Sequence, residues 1–210
     1  MPASGLPLLV VKLGGSLMTS PGLDPLLALL ARPHPARLVL VPGGGPFADA
    51  VRQTQALLAF DDALAHRLAL DAMSHVGEIL AARQAAFTLV ADEAAIGEAH
   101  GRGRVPVWHP AGLRAGHPDI PESWTITSDS LAAWLAARLG ADRLVLCKSV
   151  DVAAPGDRSG WEALAAAGIV DDAFPGFAAR YGGPIRIAGP SRQAAAGPLL
   201  GLDAAEDDAA

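Results

Sequence analysis

Residues 10–17, VVKLGGSL, carry an apolar run straight into a lysine, two glycines and a serine. A strand that ends this way hands the chain to a turn with open backbone amides, because glycine lets the main chain approach a ligand closely. The lysine is the informative residue. Of sixteen basic residues fourteen are Arg, so Lys12 and Lys148 are the only lysines of the chain. A second turn of the same kind lies in LVLVPGGGPFADAV (38–51), where three glycines precede Pro46, a residue suited to the first turn of a helix. Neither turn matches GxxxxGK[ST], and GGGPFA does not match GxGxxG, so the common P-loop and dinucleotide fingerprints fail.

Outward from these turns, apolar runs of strand length recur at 7–13, 36–42, 86–92, 104–110, 142–149 and 184–189. Several are continuous rather than alternating, which predicts strands covered on both faces. Helical patterns lie between them over 24–31, 46–58, 61–84, 128–139 and 159–167. This alternation predicts an α/β fold, a three-layer α/β/α sandwich with a mostly parallel central sheet. In such sheets ligands bind at the carboxyl ends of strands, where both glycine turns fall.

Composition sets the remaining bounds. With 210 residues, 51% of them hydrophobic, and a mean hydropathy of +0.30, the chain can bury a substantial core as one domain. The net charge of −6 and the scattered arginines argue against a nucleic-acid partner. No uncharged apolar run reaches membrane-spanning length, the N-terminus lacks a basic leader, and the single Cys147 cannot form an intrachain disulfide. A cytoplasmic location without membrane partners is expected. Residues 202–210 are acidic and poor in large apolar side chains, and are expected to form a disordered tail.

A third segment, WTITSDSLAAWLAARLGADRLVLCKSVDV (124–152), decides how the turns are read. Ser128 is placed to cap a helix, Asp129 falls in its first turn, Gly140 ends it, and a buried strand leads to Lys148 and Asp151. An acid in the first turn of a helix is ordinary chemistry, worth about 0.3 to 1 kcal/mol against the dipole. It leaves unexplained why the second lysine also stands at a strand end, facing the same sheet edge as Lys12. An ammonium is a compact point charge that fits beside a phosphoryl oxygen where a forked guanidinium is too large.

Together the three segments resemble the amino acid kinase family, whose fold acetylglutamate, carbamate, uridylate, aspartate and isopentenyl phosphate kinases share. VVKLGGSL is similar to its first-strand motif, LVLVPGGGPFADAV to its second, ITSDSLAAWLA to its acidic motif, and LVLCKSVDV to its nucleotide-site strand. The resemblance covers about residues 7–152. The helix AHRLALDAMSHVGEILA (65–81) and the tryptophan before ITSD look most like one branch, the small kinases of the methanofuran and tetrahydromethanopterin pathways. Its described member phosphorylates aminomethyl-furanmethanol phosphate.

The resemblance implies a single domain over 1–201, with an acceptor-side half at about 7–125 and a short nucleotide-side half at about 126–201. It implies an ATP-dependent kinase working with Mg²⁺ on a phosphate monoester, as a homodimer or higher homo-oligomer. A carboxylate or carbamate acceptor, or a non-catalytic nucleotide- or oxoanion-binding protein on the same fold, are the alternatives. Lys12 would follow the transferring phosphoryl group and Asp129 would hold Lys12 in place. Gly14, Gly15 and Ser16 would line the ATP phosphates, Lys148, Ser149 and Asp151 the nucleotide, and Gly43, Gly44 and Gly45 the acceptor. No metal ligand is expected among the side chains.

Two departures from the family pattern bear on the site. KSVDV lacks the usual Gly after Asp151, and no lysine follows Lys148, so Lys148, Arg186 or Arg192 must supply a second positive charge. On the 61–84 helix, Arg67, Asp71, His75 and Glu78 recur at helical spacing beside His66. They read either as an exposed polar face with an Arg67–Asp71 pair or as the border of an acceptor pocket. In the second case Arg67 or His66 would hold a phosphate and Asp71 an aminomethyl cation. His34, His100, His109 and His117 lack metal-ligand spacing and read as solvated or locally bonded. Trp108, Trp124, Trp134 and Trp161 read as core or interface fillers.

Overall fold

The computed structural model describes residues 5–202, so most of the expected acidic tail, residues 203–210, lies outside the described residues. Six strands are described: β1 Leu8–Leu13, β2 Arg37–Pro42, β3 Phe87–Val90, β4 Val105–Trp108, β5 Arg143–Cys147 and β6 Ile185–Ala188. Eight helices accompany them: α1 Leu23–Leu30, α2 Gly45–Leu58, α3 Asp62–Arg83, α4 Glu93–Gly101, α5 Ser128–Leu139, α6 Arg158–Ala166, α7 Phe174–Tyr181 and α8 Ala196–Leu200. All six predicted strands form. The five predicted helices form as α1, α2, α3, α5 and α6, whereas α4, α7 and α8 were not anticipated.

The strands make one sheet in the order β3-β4-β2-β1-β5-β6, and every described pairing is parallel. The chain therefore starts in the middle, grows toward β3 on one side and then toward β6 on the other. The direction reverses at β1, and a doubly wound sheet offers its ligand crevice at such a switch point, outside the carboxyl ends.

Both faces of the sheet are covered, which accounts for the continuous apolar runs. Leu9, Val11, Val145 and Cys147 point to the side packed by Leu26, Leu27 and Leu30 of α1 and by Leu199 and Leu200 of α8. The C-terminal half of α3, through Val76 and Leu80, covers the same side. Val10, Val39, Leu144 and Leu146 point to the other, packed by Leu131 and Leu135 of α5, Trp161 of α6, and Phe174 and Phe177 of α7. Side chains alternate along a strand. Lys12 continues the series of Leu8 and Val10, and Lys148 that of Leu144 and Leu146, so both lysines fall on the α5 face.

Close packing of α3 on the sheet uses Gly77, where a Cβ would stand 3.1 Å from Leu89. At the α2–α3 corner Leu57 and Leu58 remain 83% and 72% exposed. No helix among the described residues is long and apolar enough to cross a membrane.

Candidate active site

The two glycine turns meet edge to edge above β1 and β2. Gly43 N donates to Leu13 O at 2.8 Å and Gly14 N to Cys147 O at 3.1 Å, which ties the ends of β1, β2 and β5 together. There is no room for side chains between them. A Cβ on Gly43 would lie 2.6 Å from Gly15 N, and one on Gly15 would lie 2.9 Å from Gly45 N. Gly45 also has φ +51°, a left-handed conformation that glycine adopts without strain. Pro46 then lies in the first turn of α2, as expected.

Beneath these turns both lysines of the chain converge on one carboxylate. Lys12 Nζ lies 2.8 Å from Asp129 Oδ1, and Lys148 Nζ donates to Asp129 Oδ1 and Oδ2 at 2.8 and 2.7 Å. All three residues are buried, at 4%, 9% and 4% exposure for Lys12, Lys148 and Asp129. Burial alone would raise the Asp129 carboxyl, but the charges and hydrogen bonds of Lys12 and Lys148 outweigh it and hold the group below the usual carboxylate range. Lys148 is pushed down to about 8, first by burial and then by the charge of Lys12, with Asp129 partly restoring it. Two ammonium groups against one carboxylate leave one positive charge in excess.

The second positive charge beside Lys12 is thus Lys148. Arg186 turns away and donates from Nε to Pro198 O. Cys147, next to Lys148, is fully buried, and its thiol is pushed up to about 12 by that burial, so it serves as packing.

The start of α5 corrects one expectation. Ser128 is the first helical residue rather than the cap, and the capping position is Thr127, whose own side chain makes no cap bond. A remote acid does the capping. Asp171 Oδ2 accepts from Thr127 N at 2.9 Å, from Thr127 Oγ1 at 2.9 Å and from Ser130 N at 3.0 Å, while its Oδ1 accepts from Ser130 Oγ. Burial and the nearby Asp129 raise the Asp171 carboxyl, against the pull of these donors. Asp171 thereby fixes the helix turn that carries Asp129. It lies 42 residues downstream of Asp129, with no local pattern in VDDAF to reveal it.

A cavity of about 290 Å³ opens beside this centre. Lys12, Gly15, Ser16 and all of Gly43, Gly44 and Gly45 form one end. Leu70, Met73, Ile126 and Leu131 form an apolar wall, and His66, Asp49, Arg52 and Trp124 also line it. Trp124, expected as a filler, is a wall of this cavity. Its Nε1 donates to Gln55 Oε1 at 2.6 Å, and the Arg52 guanidinium lies 4.5 Å over its ring while pairing with Asp49 at 2.9 Å.

The other predicted residues fall elsewhere. Gly14 is tucked against Cys147 O. Ser149 meets Ser16, Oγ to Oγ, at 3.3 Å, and Asp151 Oδ1 accepts from Ser191 N and Oγ at 3.2 and 2.6 Å, joining the loops after β5 and β6. Arg67 and Asp71 do not pair with each other. Arg67 bonds Glu122 at 2.7 Å and Asp71 meets Arg114 at 3.2 Å, and neither lines the cavity. His34 and His100 bond the backbone carbonyls of Leu29 and Leu38. No group of three or more His, Cys, Asp or Glu among the described residues could hold a metal ion.

Comparison with known proteins gives this arrangement a family. The chain is 29% identical over 151 residues to the [5-(aminomethyl)furan-3-yl]methyl phosphate kinase of Methanocaldococcus jannaschii, a match that covers 68% of this chain and 66%, just under two thirds, of that protein. Among solved structures, the uridylate kinase of Archaeoglobus fulgidus superposes with a TM-score of 0.63 at 17% identity, over 87% of this chain and 92% of that one. The UMP kinase of Ureaplasma parvum does so with a TM-score of 0.66 at 13% identity, over 93% and 95%. These two likenesses speak to the fold. The profile of the amino acid kinase family matches residues 7–156, a span that takes in both glycine turns, Asp129 and both lysines. The chain belongs to the amino acid kinase family.

Proposed function

We propose that this protein transfers the γ-phosphoryl group of ATP to a phosphate monoester, [5-(aminomethyl)furan-3-yl]methyl phosphate or a close analogue, giving ADP and the diphosphate. One observation carries the reading: both lysines of the chain meet on one buried carboxylate where the sheet reverses direction, beside a cavity that ends in two glycine turns. The furan acceptor is taken from the activity of the Methanocaldococcus relative.

In this reading an acceptor phosphate oxygen attacks the γ-phosphorus, and the bond from that phosphorus to the β,γ-bridging oxygen breaks. A phosphate monoester is already ionised at neutral pH, so no general base is needed. The protein supplies positioning and charge. Lys12 neutralises charge on the group in flight, and Lys148 does the same from the nucleotide side. Asp129 holds the two ammonium groups at fixed positions, and Asp171 holds Asp129 through the α5 turn. The amides of Gly15 and Ser16 line the nucleotide phosphates, whereas the Gly14 amide is engaged by Cys147 O and shapes the turn instead. Ser149 and Asp151 stand on the nucleotide side, while Gly43, Gly44, Gly45 and His66 border the acceptor. Both Asp129 oxygens are engaged by lysines, so Mg²⁺ would enter with ATP and supply charge neutralisation on its phosphates, with no carboxylate of this cluster holding it. A cytoplasmic homo-oligomer fits the lone buried thiol and the apolar corner at Leu57 and Leu58.

The test is acceptor-dependent ADP release from Mg-ATP, with the diphosphate identified by phosphorus NMR. Turnover with the furan phosphate supports the reading. Turnover confined to a carboxylate or carbamate acceptor, or ATP binding without any turnover, overturns it.

A further inference from the structure

The cavity has a second polar end. A Cβ built on Gly44 would stand 3.4 Å from the Cβ of Ala72, so the α3 turn at Ala72 is level with the glycine turns. Six residues earlier on α3, His66 is about 9 Å farther along the helix axis at 1.5 Å per residue. Ala69 and Leu70 line the stretch between, and Met73 lines the cavity just past Ala72. That span accommodates a single five-membered ring with a one-carbon arm between a reacting phosphate and the imidazole.

The chemistry of His66 is fixed by its surroundings. It is 3% exposed, and its Nδ1 lies 3.0 Å from Ser123 O. A carbonyl oxygen only accepts, so Nδ1 carries the hydrogen. Burial lowers the imidazole pKa, against smaller opposing influences of Ser123 O and Glu122, and so favours the neutral ring. Nε2 is then a lone pair, and no hydrogen-bond partner reaches it among the described residues. An anionic group at this end would set lone pair against lone pair. A donor would satisfy it. Arg52 does not reverse this preference, because its charge is matched by Asp49 and its face is covered by Trp124.

We infer that His66 is a specificity-determining residue whose Nε2 accepts a hydrogen bond from an N–H donor at the far end of the acceptor, so that the cavity selects amine-bearing phosphate monoesters. The inference rests on the kinase reading above. It assigns His66 a role opposite to holding a phosphate.

The test compares the aminomethyl-furan phosphate with its 5-methyl analogue, which lacks the amine, on wild type, His66→Asn and His66→Gln. The Asn amide can keep the bond to Ser123 but reaches no farther, whereas the Gln amide reaches the Nε2 position and can accept there. The expected wild-type preference in kcat/KM for the amine is about 10- to 100-fold, the scale of one charge-assisted hydrogen bond. His66→Asn should bring the ratio close to one, chiefly through the KM of the amine, and His66→Gln should retain most of it. An unchanged ratio in His66→Asn, including a uniform loss on both acceptors, overturns the inference while the kinase reading stands. Turnover of neither acceptor by wild type overturns both.

Discussion

Replacing Asp129 by Asn probes the buried charge cluster with almost no change in shape. The variant keeps the packing of α5 but leaves Lys12 and Lys148 facing each other without the carboxylate that lies within 2.8 Å of both. Removing one partner of a buried ion pair costs about 3 to 5 kcal/mol, because the remaining charge is uncompensated. For a domain of this size each kcal/mol lowers Tm by about 2 to 4 °C, so the expected loss is roughly 6 to 20 °C. The pH dependence gives a sharper signature. Asp129 is one of the influences that raise Lys148, so without it the Lys148 pKa falls further below about 8. In the unfolded chain lysine keeps its proton up to about 10.4. Over that window the unfolded state binds more protons, and stability rises with pH. The window opens near 8 in wild type and lower in the variant, so the gap between them is widest in mild acid and narrows as pH rises toward 8. Thermal melts and denaturant titrations at about pH 6 and about pH 9 measure it. A variant that melts within about 2 °C of wild type in mild acid, or a gap that widens with pH, refutes a cluster held by mutual charge.

Two further outcomes follow from the same geometry. kcat/KM for ATP should fall as pH rises through about 8, since Lys148 is charged below that value and neutral above it, and a flat profile up to about pH 10 would remove Lys148 from the site. Gly43→Ala drives a Cβ to 2.6 Å from Gly15 N, backbone that can yield only by separating the two turns, so it should cost about 1 to 3 kcal/mol and most of the activity. Gly97→Ala in α4, where nothing lies within 4 Å of the new Cβ, should instead stabilise by about 1 kcal/mol, and equal denaturation midpoints for the two variants would contradict the close approach.

The legible parts of this protein are those where composition and position act locally. Several of the six strands show as continuous apolar runs because helices cover both faces of the sheet. Lys12 and Lys148 stand out by scarcity, and strand parity puts both on the face that carries α5. Helices α4 and α7 were missed for physical reasons. EAAIGEAHG buries only Ile96 and Ala99 and carries Gly97, and α7 opens on Pro175 and Gly176, which read as a turn. Residues joined only by tertiary contact were illegible. Asp171 reaches α5 across 41 residues to Ser130, and Gln55 locks Trp124 across 69. The Arg67–Asp71 spacing suggests a pair, but Glu122 and Arg114 compete for them successfully from separate segments that helical spacing cannot foresee.

The most direct test of the catalytic assignment is steady-state kinetics of Lys12→Ala with Mg-ATP and the furan phosphate, with folding checked by circular dichroism. A lysine that neutralises charge on the phosphoryl group in flight acts mostly in the transition state, so its loss should appear in kcat more than in KM. The account predicts a fall in kcat of about 10² to 10⁴, the scale of losing one positioned electrostatic donor, with poor rescue by Lys12→Arg and a much smaller change in the KM for ATP. A kcat within about threefold of wild type, less than 0.7 kcal/mol of barrier, would contradict it.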